Sequence, residues 1–298
     1  MCHARSVDVV LALLAATAFA FGNVLQQKGT LSTDDGEGKP SFLVQILREP
    51  VWLLGGALQV TGWVLQAVAL DKGPLVVVQS ITTLSLVIAL PIGAWLTNQV
   101  IVRKVVIGAI AIVAGIVLFL SVGSPQGGTT SPSSSAWWSA CLSVAVLVVG
   151  FGLLGRRATG SRRALLLGAA AGFGFALQSA VTKEFVTLVG HGVVALLQSW
   201  EIYVLMASAV AGFVLQQSAL KTGVLAPAIA SSNAVTLFGG VVLGVTVFGE
   251  TLARGDGRLV PALLGLAAAL VGVFLLAGAP PPEPQQSDAP HPTASGTT

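Results

Sequence analysis

GWVLQAVALDKGPL, residues Gly62–Leu75, reads as the end of one membrane helix, a tight turn at Asp71-Lys72-Gly73-Pro74 and the start of the next helix. The chain repeats this statement 150 positions later as GFVLQQSALKTGVL, Gly212–Leu225. Eight of the 14 paired positions are identical, among them Gly62/Gly212, Gln66/Gln216 and Gly73/Gly223. A match of this density at a fixed offset is the signature of an internal structural repeat. A second match supports it. Leu13–Gln26 aligns with Leu165–Gln178, with seven of 14 positions identical, including Gly22/Gly174 and Gln26/Gln178.

Composition says which solvent the repeat faces. The chain has 298 residues, of which 54% are hydrophobic and 9% charged. Soluble domains carry about 25% charged residues, so this chain lacks the polar side chains to cover itself with a solvated surface. A hydrocarbon core of about 30 Å needs about 20 apolar residues of helix. Nine stretches qualify: Val7–Gln26, Val51–Leu70, Leu75–Thr97, Val105–Val122, Trp137–Gly155, Ala164–Phe185, Ile202–Leu220, Val224–Phe248 and Leu259–Gly278. In lipid each must close its own backbone hydrogen bonds, so each is read as a helix. The expected fold is an all-α polytopic membrane protein. Small residues on the fourth and ninth stretches (Gly108/Ala111/Gly115 and Gly265/Ala268/Gly272) suit close helix contacts.

The matched stretches are the first with the sixth, the second and third with the seventh and eighth, and the fourth with the ninth. Partners lie five crossings apart, so they run in opposite directions through the bilayer. The expected layout is an inverted-topology repeat, 7–122 and 164–278. A linker with the fifth, connecting stretch occupies 123–163, and a disordered tail with six prolines occupies 279–298. The Ala18-Phe19-Ala20 pattern near the N-terminus resembles a signal-peptidase site, but the internal match makes the first stretch a retained helix. Short pieces at Phe42–Arg48 and Val193–Ser199 are candidate interfacial helices.

Lys and Arg set the expected orientation. With the N-terminus outside, ten basic residues face the cytoplasm and five face out. The short loop carrying Arg156, Arg157, Arg162 and Arg163 weighs most. The expectation is an inner or plasma membrane protein with the C-terminus in the cytoplasm. The small net charge of +3 belongs to these loops and gives no nucleic-acid signal.

The order Arg48-Glu49-Pro50-Val51-Trp52-Leu53-Leu54-Gly55, the Gly62–Leu75 hairpin and the Ser/Thr-rich start of the third stretch resemble the drug/metabolite transporter superfamily. The nearest branches are the NIPA-like magnesium transporters and the EamA-type permeases. Gly223–Leu252, with its Phe248-Gly249-Glu250 turn, is similar to the family's second-half helix pair. The resemblance covers about Val9–Gly278. Nine helices match the NIPA-like layout, whereas EamA permeases usually have ten. The first half departs from the pattern, with Asn98-Gln99 where the second half has Gly249-Glu250. What the resemblance implies is secondary transport by alternating access.

Polar groups inside a bilayer tend to face the bundle interior or a cavity. Gln79, Thr82 and Thr83 open the third stretch, alongside Ser80 and Ser85. Ser231, Ser232 and Asn233, followed by Thr236, open the eighth. Gln66 and Gln216 are equivalent on the second and seventh stretches. Asn23, Gln26 and Gln178 lie on the first and sixth. These residues are the candidate lining of a substrate pathway. For each Ser or Thr the alternative is a bond back to its own helix carbonyl.

Carboxylates are sparse. None lies near the middle of a predicted span. Glu184 and Glu201 are near ends, and Asp71, Glu250 and Asp256 are assigned to loops. A proton-coupled exporter built on a buried Glu therefore has no candidate at this level. Lys183-Glu184 is a candidate ion pair, or a pair that snorkels to the interface. Cys141 reads as a packed core thiol. His3, His191 and His291 are scattered, and no metal, nucleotide or hydrolase motif occurs. The chain is expected to be no enzyme and to need no cofactor. Its expected partners are the bilayer and a small-molecule or ion substrate, with a homodimer open and nucleic acid excluded. A metabolite or drug-like solute is the first functional reading. Magnesium or another divalent cation and a non-transporting membrane scaffold are the alternatives.

Overall fold

The computed structural model describes residues 2–31, 48–97, 103–129, 132–189, 193–220, 222, 225–252 and 258–277. The tail at 279–298, most of the Phe42–Arg48 piece, the Asn98-Gln99 pair, His191 and His291 lie outside the described residues. Every element found is a helix: α1 (Cys2–Leu31), α2 (Pro50–Lys72), α3 (Leu75–Thr82), α4 (Ser85–Thr97), α5 (Arg103–Gly123), α6 (Ser134–Arg157), α7 (Gly160–Val189), α8 (Val193–Gln198), α9 (Trp200–Leu220), α10 (Leu225–Thr246) and α11 (Leu259–Ala277). Eight spans are long and apolar enough to cross a membrane, and α11 contributes a shorter apolar helix over Leu259–Leu275. The protein is an all-α, multi-pass membrane protein. The six-residue α8 stands where a short interfacial helix is expected, directly before α9.

The third predicted span is not one helix. Leu75–Leu96 is broken into α3 and α4. At the break Leu84 N–H bonds to Ile81 O at 2.9 Å and Leu86 N–H to Thr83 O at 3.2 Å, a three-residue spacing that tightens the turn. The cause is local. Thr82 Oγ1 and Thr83 Oγ1 both donate to Gln79 O, at 3.0 and 2.9 Å, and Ser80 Oγ donates to Val76 O at 2.7 Å. Hydroxyls at this density compete with the backbone ladder. Pro91 inside α4 removes another backbone donor. The matching polar run on α10 leaves that helix continuous from Leu225 to Thr246.

Glycines decide which helices touch. On α5 and α11 a Cβ added at Gly115 would stand 2.6 Å from Gly265 O, and one at Gly272 would stand 2.7 Å from Gly108 O. The backbones themselves meet there, as the small-residue pattern anticipates. A Cβ at Gly172 of α7 would stand 2.5 Å from Ser232 O of α10. Gly22 of α1 sits against Gly55 O and Gln59 of α2, and Gly174 of α7 sits against Gly212 and Ser208 O of α9. Gly62 takes the ring of Phe19, and Gly212 takes the ring of Phe175.

Helices α7, α3 and α10 hold the middle. Residues of α7 from Leu167 to Val181 are mostly buried, and all eight residues of α3 are buried. One apolar cluster joins Leu70, Leu75, Val78 and Ile81 to Ala176, Val181, Leu243 and Phe248. A second joins Val76 to Ile112, Phe119, Leu237, Leu266 and Val273. α6 and α9 are the least buried of the spans, and on α6 Leu142, Val146, Val149, Leu153 and Leu154 are all exposed, as a lipid-facing surface requires.

Candidate functional site

Consecutive antiparallel spans bring the start of α1, the end of α2, the start of α3, the ends of α7 and α10 and the starts of α6 and α9 to one end of the bundle. Glu250 stands at its centre. The residue follows α10 and a turn in which Gly249 has φ +63°, the left-handed region that favours glycine. Its side chain is completely buried and forms an ion pair with Lys183 Nζ of α7 at 2.7 Å. The same carboxylate accepts the backbone N–H groups of Leu75 at 2.5 Å and Val76 at 2.9 Å. These are first-turn N–H groups of α3, which lack partners within their own helix. Pro74 precedes them, so Glu250 serves as a cap from 174 residues away, and the positive end of the helix favours its charge. Gly244 makes room for it: a Cβ there would stand 2.6 Å from Val76 Cγ2 and 2.7 Å from Glu250 Oε2.

The linker after α5 completes the cover. Gln126 and Thr251 exchange backbone hydrogen bonds at 3.0 and 2.9 Å, and Thr129 N–H bonds to Phe248 O at 2.8 Å. Gly128, at φ +102°, passes over Glu250, where a Cβ would stand 3.0 Å from Glu250 Cγ. Lys183 Nζ also lies 4.8 Å above the Phe248 ring, a cation–π contact. Trp137 of α6 meets Phe248 edge-on at 5.7 Å and Trp200 at 5.2 Å.

Three corrections follow. Lys183 pairs with Glu250 and not with its neighbour Glu184, because adjacent residues on a helix project in different directions. Glu250 lies in a loop segment, as expected, yet it is among the most deeply buried side chains. Glu201 in the first turn of α9 and Asp8 of α1 are also buried, Asp8 lying against Gly73. Buried carboxylates therefore exist, although none is at mid-helix. Position along a span does not report burial when the ends of several helices converge. Asp8 is a residue the sequence reading passed over.

The polar residues assigned to a pathway are placed as follows. Thr82, Thr83 and Ser231 are buried, and each hydroxyl bonds to a carbonyl of its own helix. Asn233 Nδ2 does the same to Ile229 O at 2.8 Å. Ser232 is buried at the α7–α10 contact, next to Thr236, whose hydroxyl reaches both Ser232 O and Gly172 O. Asn23 is exposed and accepts from Gln59 Nε2 of α2 at 2.5 Å. Gln26 packs over Gly55 of α2, and Gln178 is half-buried on α7. Gln66 of α2 reaches Ser179 Oγ of α7 at 3.5 Å, a contact between the two matched parts of the chain. Gln79 rests on Gly240 of α10, where a Cβ would stand 2.5 Å from Gln79 Cγ. Its Oε1, and that of Gln216 on α9, are buried with no hydrogen-bond partner among the described residues. The structure thus gathers Gln66, Gln79, Thr82 and Thr83 on α2 and α3 beside α7 and α10, and leaves Asn23 on the outside of the α1–α2 pair.

Comparison with known proteins adds one relative. The chain is 29% identical over 273 residues to an uncharacterized protein of Corynebacterium glutamicum, an alignment covering 90% of this chain and 93% of that protein. No protein-family model and no solved structure matches.

Proposed function

We propose that this protein is a secondary transporter that moves a small polar solute, a metabolite or drug-like molecule, by alternating access. The observation that carries the reading is Gln79. Its amide oxygen is buried with no hydrogen-bond partner among the described residues, on a span broken at Thr83-Leu84 and pressed against a glycine of α10. An unsatisfied buried acceptor costs about 1–3 kcal/mol. Discontinuous membrane helices are where transporters build solute sites, because the irregular backbone is tolerated beside a cavity. Amides and hydroxyls from α2, α3, α7 and α9 suit hydrogen bonding to a neutral or zwitterionic solute.

The inverted repeat belongs to this reading. In support, Gly62 and Gly212 each receive a phenyl ring from the helix of the preceding match, and Gly22 and Gly174 make the corresponding α1–α2 and α7–α9 contacts. The resemblance to the drug/metabolite transporters supplies the mechanism: two halves of like fold exchange conformations around a central site. Nine spans, with the N-terminus outside and the C-terminus inside, complete the proposal.

Cysteine substitution at Gln79, Thr83 and Gln216, in a background with Cys2 and Cys141 replaced by alanine, tests it. Reaction of these positions with a small water-soluble thiol reagent in membranes supports an aqueous route. Complete protection of all three would favour a scaffold. A thermal-shift screen of the purified protein against cations, metabolites and lipophilic drugs then identifies the solute class, since a ligand of the native state raises its stability.

A further inference from the structure

α3 is held differently from the helices around it. It is a separate eight-residue helix, buried along its whole length, whereas most of α4 is half-buried. At its first turn Glu250 accepts the N–H groups of Leu75 and Val76 at 2.5 and 2.9 Å, and Lys183 holds Glu250 at 2.7 Å. At its last turn the three-residue bonds from Leu84 N–H to Ile81 O and from Leu86 N–H to Thr83 O interrupt the span. Between these ends one face rests on glycines of α10, Val76 on Gly244 and Gln79 on Gly240.

The matched half repeats none of this. α10 runs unbroken from Leu225 to Thr246. At the offset that aligns Leu13–Gln26 with Leu165–Gln178, Lys183 corresponds to Leu31. Asn98-Gln99 stands where the second half has Gly249-Glu250. Break, cation and carboxylate thus come together around α3, and none of the three has a counterpart in the matched position.

We propose that α3 is a gate for this end of the bundle, latched at its first turn by Glu250 with Lys183 and hinged at the break before α4. A contact of this chemistry suits two states. Shielded from water, an ion pair and charge-assisted hydrogen bonds are strong; once water enters, it supplies the same bonds and the contact weakens. The latch therefore holds or lets go, with little between. Asp71 and Lys72, just before α3, are exposed, so this end of the span borders water. Release then passes the ammonium, the carboxylate and the two N–H groups to water and leaves none of them in lipid. Hinges are a few residues at the ends of elements, and Thr83-Leu84 stands at one. On the other side of the latch Gly249, at φ +63°, has nothing within 4 Å of an added Cβ, which leaves room for Glu250 to swing. Opening uncovers the face of α3 that carries Val76 and Gln79. As a gate on a solute route the proposal rests on the transport reading; the latch and hinge are tested without it.

The test uses purified protein with Cys2 and Cys141 replaced by alanine and one reporter, Val76→Cys, which keeps the capped N–H. The rate of reaction with a small water-soluble thiol reagent is measured beside thermal unfolding. With the latch intact the reporter is expected to react slowly. Glu250→Gln and Lys183→Met should each speed it several-fold. Asp71→Asn, an exposed carboxylate beside Lys72, should leave the rate unchanged. A second reporter, Val273→Cys, is buried on α11 beside the contact of Gly272 with α5, and should stay slow in every variant. Equal acceleration at both reporters would make the pair a structural tie only and overturn the gate. So would a Val76→Cys rate that the latch variants do not change. Should either single variant fail to fold, Lys183→Met/Glu250→Ala, which strands no charge, decides alone. Reactive cysteines at Gln79, Thr83 and Gln216 with no latch effect would leave transport standing without this gate. A latch effect with those three protected would leave a hinged α3 without transport.

Discussion

Glu250 shows what a single side chain does in this bundle. Its carboxylate satisfies two α3 N–H groups and one ammonium while fully buried. Removing one member of a buried ion pair leaves the other uncompensated, at about 3–5 kcal/mol. Lys183→Met and Glu250→Ala are each expected to lose stability of that order, read as thermal unfolding in detergent. The double variant Lys183→Met/Glu250→Ala is expected to lose less than the sum of the single changes, because no charge is stranded. Gly244→Ala should cost about 1–3 kcal/mol, since its methyl group must displace Val76 or the Glu250 carboxylate. The sequence placed Glu250 in a turn and saw its resemblance to a family motif. It held no sign that the carboxylate reaches back to Leu75 and Val76.

At the scale of the element, glycine has two meanings along this chain. Gly115 and Gly265 are where α5 and α11 touch through their backbones. Gly150 of α6 has nothing within 4 Å of an added Cβ and faces outward. Leucine at Gly115 or Gly265 is therefore expected to separate the two helices and lower the unfolding temperature sharply. Gly150→Ala should be neutral or raise stability by up to about 1 kcal/mol through helix propensity. Parallel unfolding scans of the three variants check the contrast. The small-residue pattern on α5 and α11 was legible in sequence because it repeats at helical spacing on both partners. The break between α3 and α4 was not. The polar run Gln79–Thr83 was visible, but a similar run on α10 leaves that helix intact. The difference lies in hydroxyl geometry: two Thr side chains share Gln79 O on α3.

For the whole molecule, the ends of the bundle differ in kind. The described carboxylates that are buried, Asp8, Glu201 and Glu250, gather at one end. Arg156, Arg157, Arg162 and Arg163 lie exposed at the other, where α6 passes into α7. Positive charge is retained on the cytoplasmic side of membranes, so the arginine end is expected inside. A cysteine at Thr159 should resist a membrane-impermeant label in intact cells and react once the membrane is opened. For the transport reading, Gln66→Leu combined with Gln216→Leu should reduce uptake or efflux of the identified solute at least several-fold while the protein stays folded. Unchanged transport would remove these amides from the pathway.

The amino-acid sequence by itself determined that the chain is a bundle of membrane-spanning helices, where most of them begin and end, and that two of them carry small-residue faces suited to close packing. Those properties follow from apolar length, from the rule that lipid leaves no backbone group unsatisfied, and from local spacing. Only the tertiary structure decided which polar groups are buried and with whom: Lys183 with Glu250, Glu250 with α3, and Gln79 against Gly240 with no partner among the described residues. These pairings join residues tens to hundreds of positions apart. They depend on how helix ends are brought together, and neither hydropathy nor helical periodicity records that geometry.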